Sequence, residues 1–186
     1  MNSVDFSVII PQRNSLDSLT RLFDSIPFSD KIEVILVDNS FEPISIEDVK
    51  TNRPFQLFHS VPQSFAGGAR NIGIDNAHGK WLIFADADDF FTPQAFDIFY
   101  SHLDDEADLI YFKSDSVYDD TLEPSDRNVL FNGYIDDYVS GKLSEMGVRL
   151  SYLVPWGKMV RKDLVLQNSI RFDEVLAANE DRKSTR

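Results

Sequence analysis

The 186-residue chain contains no cysteine. Disulfides and thiolate-held zinc are therefore excluded, and a reducing compartment is permitted. No stretch approaches the roughly 20 consecutive apolar residues of a membrane span. The opening residues, MNSVDFSVIIPQRN, carry no positive region before their short apolar run and do not read as a signal peptide. Internal repeats and low-complexity tracts are also missing. Basic residues are scarce: 18 Lys and Arg stand against 31 Asp and Glu, a formal net charge of −13. A surface of that sign repels nucleic acid and anionic lipid, so neither is expected as a partner. The missing signals place the expected location in the cytoplasm, or peripherally at the inner face of a membrane. What the chain does have is 42% hydrophobic residues and fifteen Phe, enough for the core of one domain.

Short apolar runs alternate with helix-like segments. Phe6 to Pro11 is a β-branched run ended by proline and reads as a buried strand. Leu16, Leu19, Leu22, Phe23 and Ile26 then recur at helical spacing after a possible cap at Asn14 or Ser15. Ile32 to Val37 is a second buried strand, and Phe55 to Ser60 alternates weakly as a third. Gly67 and Gly68 precede a helix-like segment through Ala77, closed by His78-Gly79. Trp81 to Ala85 is a fourth strand. Thr92-Pro93 supplies a helix start, and Leu109 to Phe112 is a fifth strand. Tyr118 to Asn128 reads as an exposed loop or hairpin. In the less regular remainder, Gly133 to Leu143 is expected to be helical, Pro155 to Lys158 a turn, and Ser169 to Phe172 a short strand.

This alternation predicts an α/β fold with a mostly parallel sheet and right-handed crossovers. Ligands in such sheets bind beyond the carboxyl ends of the strands. Asn14, Asp38 and the Asp86 to Asp89 group would then share one edge.

The sharpest feature is WLIFADADDF, residues 81–90, in which a buried strand delivers Asp86, Asp88 and Asp89 into one turn. A solvated acidic turn that caps the next helix is the ordinary explanation. Thr92-Pro93 already starts that helix, however. Carboxylates this close also repel by roughly a kcal/mol or more per pair unless a cation sits between them. Oxygen ligands at this density suit Mg²⁺ or Mn²⁺. Asp38 ends the second strand; it either forms a strand-end turn or accepts hydrogen bonds from a base or sugar. Arg70 and Asn71 follow two glycines. Either this is a glycine-started helix with ordinary surface residues, or Gly67 and Gly68 let the backbone approach a ligand while Arg70 contacts phosphate or braces the acidic cluster. No Walker motif or G-x-G-x-x-G is present. Glu180-Asp181 could simply be acids in a first helical turn.

Taken together, SVIIPQRN (7–14), EVILVDNS (33–40), GGARNIGIDNAHGKW (67–81), IFADADD (83–89), PWGKMVRKDL (155–164), IRFDE (170–174) and NED (179–181) resemble, in order and spacing, family-two glycosyltransferases of the GT-A fold. The resemblance implies inverting transfer of a sugar from a nucleotide diphosphate donor, a UDP-sugar above all, to a saccharide or glycolipid acceptor in polysaccharide or glycoconjugate synthesis. It implies a Mn²⁺ or Mg²⁺ cofactor. Asp38 resembles the aspartate that reads the nucleobase. Asp86 and Asp88 resemble the DxD metal-binding pair, with Asp88 the more direct ligand and Asp86 nearer the ribose. Asp181 resembles the catalytic base. Pro11 and Asn14 match the nucleotide-side loop, although Gln12-Arg13 replaces an aromatic residue often found there. Arg70 is counted with the donor-binding residues.

The expected organisation is a single domain over residues 1–186, with a nucleotide-sugar-binding half at 1–114 and an incomplete acceptor-side half at 115–186. The chain ends five residues after Asp181, so a truncated, non-catalytic donor-binding fragment is one alternative. A sugar nucleotidyltransferase is the other, but it would need a glycine-rich loop where PQRNSLDS stands. Trp156 offers either a face to a sugar or plain packing.

Overall fold

The structure, a computed structural model, describes residues 3–175. In chain order its elements are β1 (Phe6–Gln12), α1 (Leu16–Ser25), β2 (Ile32–Asp38), β3 (Gln56–His59), α2 (Phe65–Asn76), β4 (Trp81–Phe84), α3 (Ala95–Ser101), β5 (Leu109–Tyr111), α4 (Val129–Val139), α5 (Glu145–Ser151), β6 (Lys158–Arg161) and α6 (Lys162–Gln167). The chain forms two compact units. One comprises the residues up to Asp108 together with those from Met159 onward, and the other is Leu109–Lys158.

In the first unit the strand order is β3-β2-β1-β4-β6. The pairs β1–β2, β1–β4 and β2–β3 are parallel, and Met159–Arg161 of β6 runs antiparallel to β4. This is the expected α/β, mostly parallel architecture. β1 and β4 are buried along their whole length, which is why they read as mainly apolar runs and not as alternating ones. One sheet face, with Ile9, Ile35, Val37, Leu82 and Phe84, packs with Ala69 and Ile74 of α2 and Val165 of α6. The aromatic rings of α3 cover Phe6, with Phe96 at 6.4 Å and Tyr100 at 4.9 Å.

Pro11 lies in a central strand, where proline normally removes a ladder bond. Ala85 N–H donates to Ile9 O and Asn39 N–H donates to Gln12 O. Alternation therefore turns the Pro11 nitrogen toward the β4 side, past the last β4 partner, Phe84. The missing N–H therefore falls where the β1–β4 pairing has already ended.

Several expected boundaries differ. Gly67 and Gly68 lie inside α2, not ahead of it. The start signal is Pro62, which opens a 3₁₀ turn leading directly into the helix. Gly73 lets α2 sit tight on the sheet, since a Cβ there would fall 2.3 Å from Ile9 Cγ2. Helix α3 starts at Ala95, after a turn in which Ala95 N–H donates to Thr92 O. β6, α5 and α6 had no clear signal: all are short, and β6 (KMVR) has cations at both ends. Ser169 to Phe172 is not a strand. Its residues near Phe172 bond to a side chain instead, as described below.

The second unit holds β5, α4 and α5. Helix α4 starts at Val129, not Gly133. The preceding Asn128 uses its amide to hold Ser114 Oγ at 3.1 Å and Asp115 O at 2.9 Å. Where a loop or hairpin is expected, Val117 and Pro124 form an isolated antiparallel bridge. Phe131 meets Trp156 edge-on at 5.4 Å and Tyr152 at 5.6 Å, so Trp156 is engaged in packing. Lys158 Nζ donates to Tyr152 O at 2.7 Å and lies over the Tyr111 and Tyr152 rings. Burial lowers its pKa to about 8. Among the described residues no helix is long and apolar enough to cross a membrane.

Candidate functional site

Because β1, β2 and β4 are parallel, their carboxyl ends share one edge of the sheet. Gln12 pairs with Asp38 in the last register position of β1 and β2. Asn14 follows with φ 56°, and its N–H donates to Ser40 Oγ at 3.2 Å. The turn after β4 carries the aspartates. The structure thus brings Pro11, Asn14, Asp38 and the residues 86–89 to a common edge.

Asp86, Asp88 and Asp89 each offer a carboxylate oxygen, and these oxygens lie within 4.8 Å of one another. The turn is closed by Asp89 N–H donating to Asp86 O at 3.0 Å and by Asp86 N–H donating to Asp89 Oδ2 at 3.3 Å. Two cations hold it from outside. Arg70 Nη2 sits 2.7 Å from Asp86 Oδ1, and Arg21 Nη2 donates to the Asp88 backbone oxygen at 2.7 Å. Arg70 is only 4% exposed, so its charge is committed to this corner of the sheet. Asp88 and Asp89 are exposed. This donor set fits a hard divalent ion: all oxygen, closely grouped, and open to solvent at Asp88 and Asp89. Asp86, already paired with Arg70, has less carboxylate capacity to offer than Asp88.

Asp38 is differently placed. It is 1% exposed. Its Oδ1 accepts from Gln12 Nε2 at 3.2 Å and from Ser40 N–H at 3.1 Å. Its Oδ2 accepts from Ile44 N–H at 3.1 Å, with His59 Nδ1 at 3.4 Å. A carboxylate has about four acceptor positions, so the group folds the loop after β2 around itself. The Ser40 bond is the strand-end turn of the first sequence reading, at the carboxyl edge of the sheet. Ser40 stands where a strand-end turn predicts a donor, whereas nothing in the sequence marks Gln12 or Ile44 as a partner of Asp38.

Asn71 and Glu33 were also missed as organising residues. Asn71 bonds to a segment 101 residues away, which no local pattern reveals. Glu33 accepts from Ser7 Oγ at 2.6 Å, Gly79 N–H at 3.2 Å and Gln56 Nε2 at 3.1 Å near the start of β2, where it knits strands and not a ligand site. Gly67 and Gly68 were read as making room for a ligand. A Cβ at Gly67 would lie 2.1 Å from Asp173 O, and one at Gly68 would lie 2.3 Å from Ser64 Oγ, so the room is filled by the chain itself. Asp181, the expected base, and its neighbour Glu180 lie outside the described residues.

Comparison with known proteins agrees with this geometry. The model for "Glycosyl transferase family 2" matches residues 7–165. The uncharacterized glycosyltransferase YibD of Escherichia coli (strain K12) is 30% identical over 187 residues, covering 92% of this chain and 53% of that protein. The poly(ribitol-phosphate) beta-N-acetylglucosaminyltransferase TarS of Staphylococcus aureus (strain MW2) is 25% identical over 189 residues, covering 97% of this chain and 31% of that protein. The chain therefore spans about half, or less, of the length of these relatives. The crystal structure of S. aureus TarS 1-349 superposes with a TM-score of 0.70 at 22% identity, over 96% of this chain and 53% of that one. The TarS 1-349 complex with UDP-GlcNAc gives 0.69 at 21% identity, over 96% and 51%. At that identity the superposition speaks for the fold, which is the GT-A arrangement. With a family model that covers residues 7–165, this chain belongs to glycosyl transferase family 2.

Proposed function

We propose that this chain carries the donor site of an inverting glycosyltransferase that moves a sugar from a UDP-sugar to a hydroxyl of a saccharide or glycolipid acceptor. The observation that supports this most is the group Asp86, Asp88 and Asp89 at the carboxyl edge of a parallel sheet, in a family 2 chain of net charge −13. UDP-N-acetylglucosamine is the first donor to test, because a structure of the fold relative TarS holds that molecule.

In this reading Asp88 and Asp86 hold Mn²⁺ or Mg²⁺. The ion, when bound, neutralises charge that develops on the leaving diphosphate. The chain's own residues do the rest. Arg70 keeps Asp86 oriented and adds positive potential beside the diphosphate. The loop of Pro11, Asn14 and Asp38 receives the nucleoside, with Asp38 meeting the base through an acceptor position it now shares with Gln12 or Ile44. Asp181 takes the proton from the acceptor hydroxyl, whose oxygen attacks the anomeric carbon from the face opposite the diphosphate. A single displacement needs no enzyme nucleophile. Residues 1–114 serve the donor and the remainder the acceptor.

Calorimetric titration of UDP with Mn²⁺ and again with chelator tests the donor site. Binding is expected in the first and weak or absent in the second, and Asp88→Asn should lose affinity in the Mn²⁺ series alone. Equal affinity in both conditions would remove the metal from the reading. Asp181→Asn should leave donor binding nearly unchanged and lower transfer by about a hundredfold or more, as loss of general-base catalysis requires. Transfer assays in a chain extended beyond Arg186 check this. Undiminished transfer would assign proton removal to another group.

A further inference from the structure

Arg70 is followed in α2 by a second buried polar residue. Asn71 is 5% exposed, and among the described residues its side chain bonds to Phe172 and Glu174. Phe172 N–H donates to Asn71 Oδ1 at 2.9 Å, and Asn71 Nδ2 donates to Phe172 O at 3.0 Å. The same Nδ2 donates to Glu174 Oε1 at 2.8 Å. An amide that engages both the N–H and the C=O of one residue reproduces the paired bonds of a strand pair and restrains that residue's backbone. Gly67 admits the segment, since any side chain there would strike Asp173 O.

The residue gripped in this way is the one whose ring touches the site. The Phe172 ring packs edge-on against Phe84 at 5.2 Å, at the end of β4. Its face lies under the Arg70 guanidinium, 5.4 Å from Cζ to centroid. Arg70 in turn is paired with Asp86 at 2.7 Å. Asn71, Phe172, Arg70 and Asp86 therefore form a continuous sequence of contacts from helix to acidic turn. Arginine has many rotamers, and a stacked planar partner reduces the choice to the one that meets Asp86.

We propose that Asn71 is a positioning residue: by gripping the Phe172 backbone it holds that ring beneath Arg70 and so fixes the Arg70–Asp86 pair at the mouth of the donor site. The consequence for nucleotide affinity rests on the donor-site reading above. The effect on Arg70 does not.

Two measurements on the full chain separate these. The first is ligand-free: the guanidinium resonances of Arg70 by NMR, with hydrogen exchange at the residue 172 amide. Slow guanidinium rotation and a protected amide are expected in the unsubstituted chain. Asn71→Ala should free both. Phe172→Leu keeps the backbone grip but removes the ring, so it should free Arg70 while the amide stays protected; it also serves if Asn71→Ala does not fold. The second is Mn²⁺–UDP affinity in a double-mutant cycle. Asn71→Ala should weaken binding by about tenfold, and adding it to Arg70→Ala should cause little further loss. Additive losses, or an Arg70 signal unchanged in Phe172→Leu, would overturn the proposal and reduce Asn71 to a tether for its segment. If the unsubstituted chain shows no Mn²⁺-dependent UDP binding, the donor-site reading fails, and the Arg70 resonances still decide the positioning role.

Discussion

At the scale of single residues, the two kinds of carboxylate at the sheet edge do opposite work. Asp88 is exposed, so its loss should be felt in ligand binding and should not lower stability. Asp38 is buried and already serves Gln12, Ser40 and Ile44. Asp38→Ala leaves those donors without an acceptor in a closed environment, at a cost of about 1–3 kcal/mol for each one that water does not reach. The expected outcome is a lower unfolding midpoint together with weaker UDP binding, while the dependence of binding on Mn²⁺ persists. Thermal melts and paired titrations with Mn²⁺ and chelator check it. Loss of the Mn²⁺ dependence would mean that Asp38 serves the metal, contrary to its place at the end of β2.

At the scale of elements, the glycines separate close packing from mere composition. Glycine within a helix is unfavourable relative to alanine by about 1 kcal/mol. Gly133 in α4 has nothing within 4 Å of an added Cβ, so Gly133→Ala should stabilise by about 0.5–1 kcal/mol. Gly73 in α2 has Ile9 Cγ2 at 2.3 Å, in the centre of the sheet. Gly73→Ala should push α2 off β1 and destabilise by about 1–3 kcal/mol despite the same propensity gain. Denaturant midpoints for the two variants should therefore move in opposite directions. A stabilised Gly73→Ala would show that α2 is free to slide, and the placement of Arg70 and Asn71 by that helix would be looser than described.

At the scale of the whole molecule, the charge of −13 makes the acidic turn more than a local matter. Self-repulsion weakens the compact state, and salt relieves it by screening. A divalent ion held by Asp86 and Asp88 would add a specific stabilisation that screening cannot give, because it would bind the folded chain in preference to the unfolded one. Mn²⁺ should therefore raise the melting temperature more than NaCl at equal ionic strength, and Asp88→Asn should erase the difference. Identical melting curves in the two salts would mean that the three aspartates form a solvated turn.

The sequence by itself determined the parallel α/β frame, since short apolar runs and helical periodicity are local properties. It determined the family too, through motifs whose order survives along the chain. It also located the acidic turn, because three aspartates in four residues stand together before any folding. Tertiary structure decided what lies between those landmarks. That Gln12 reaches Asp38, that Arg70 braces Asp86 and that Asn71 grips Phe172 depend on contacts between residues from 16 to 101 positions apart. Gly67 looked like space for a ligand and proved to be space for Asp173. β6 could not be read as a strand, because four residues carry too little pattern until β4 offers them an antiparallel edge. Side chains are chosen by their neighbours in space, and in a sheet whose order departs from chain order those neighbours are remote in sequence.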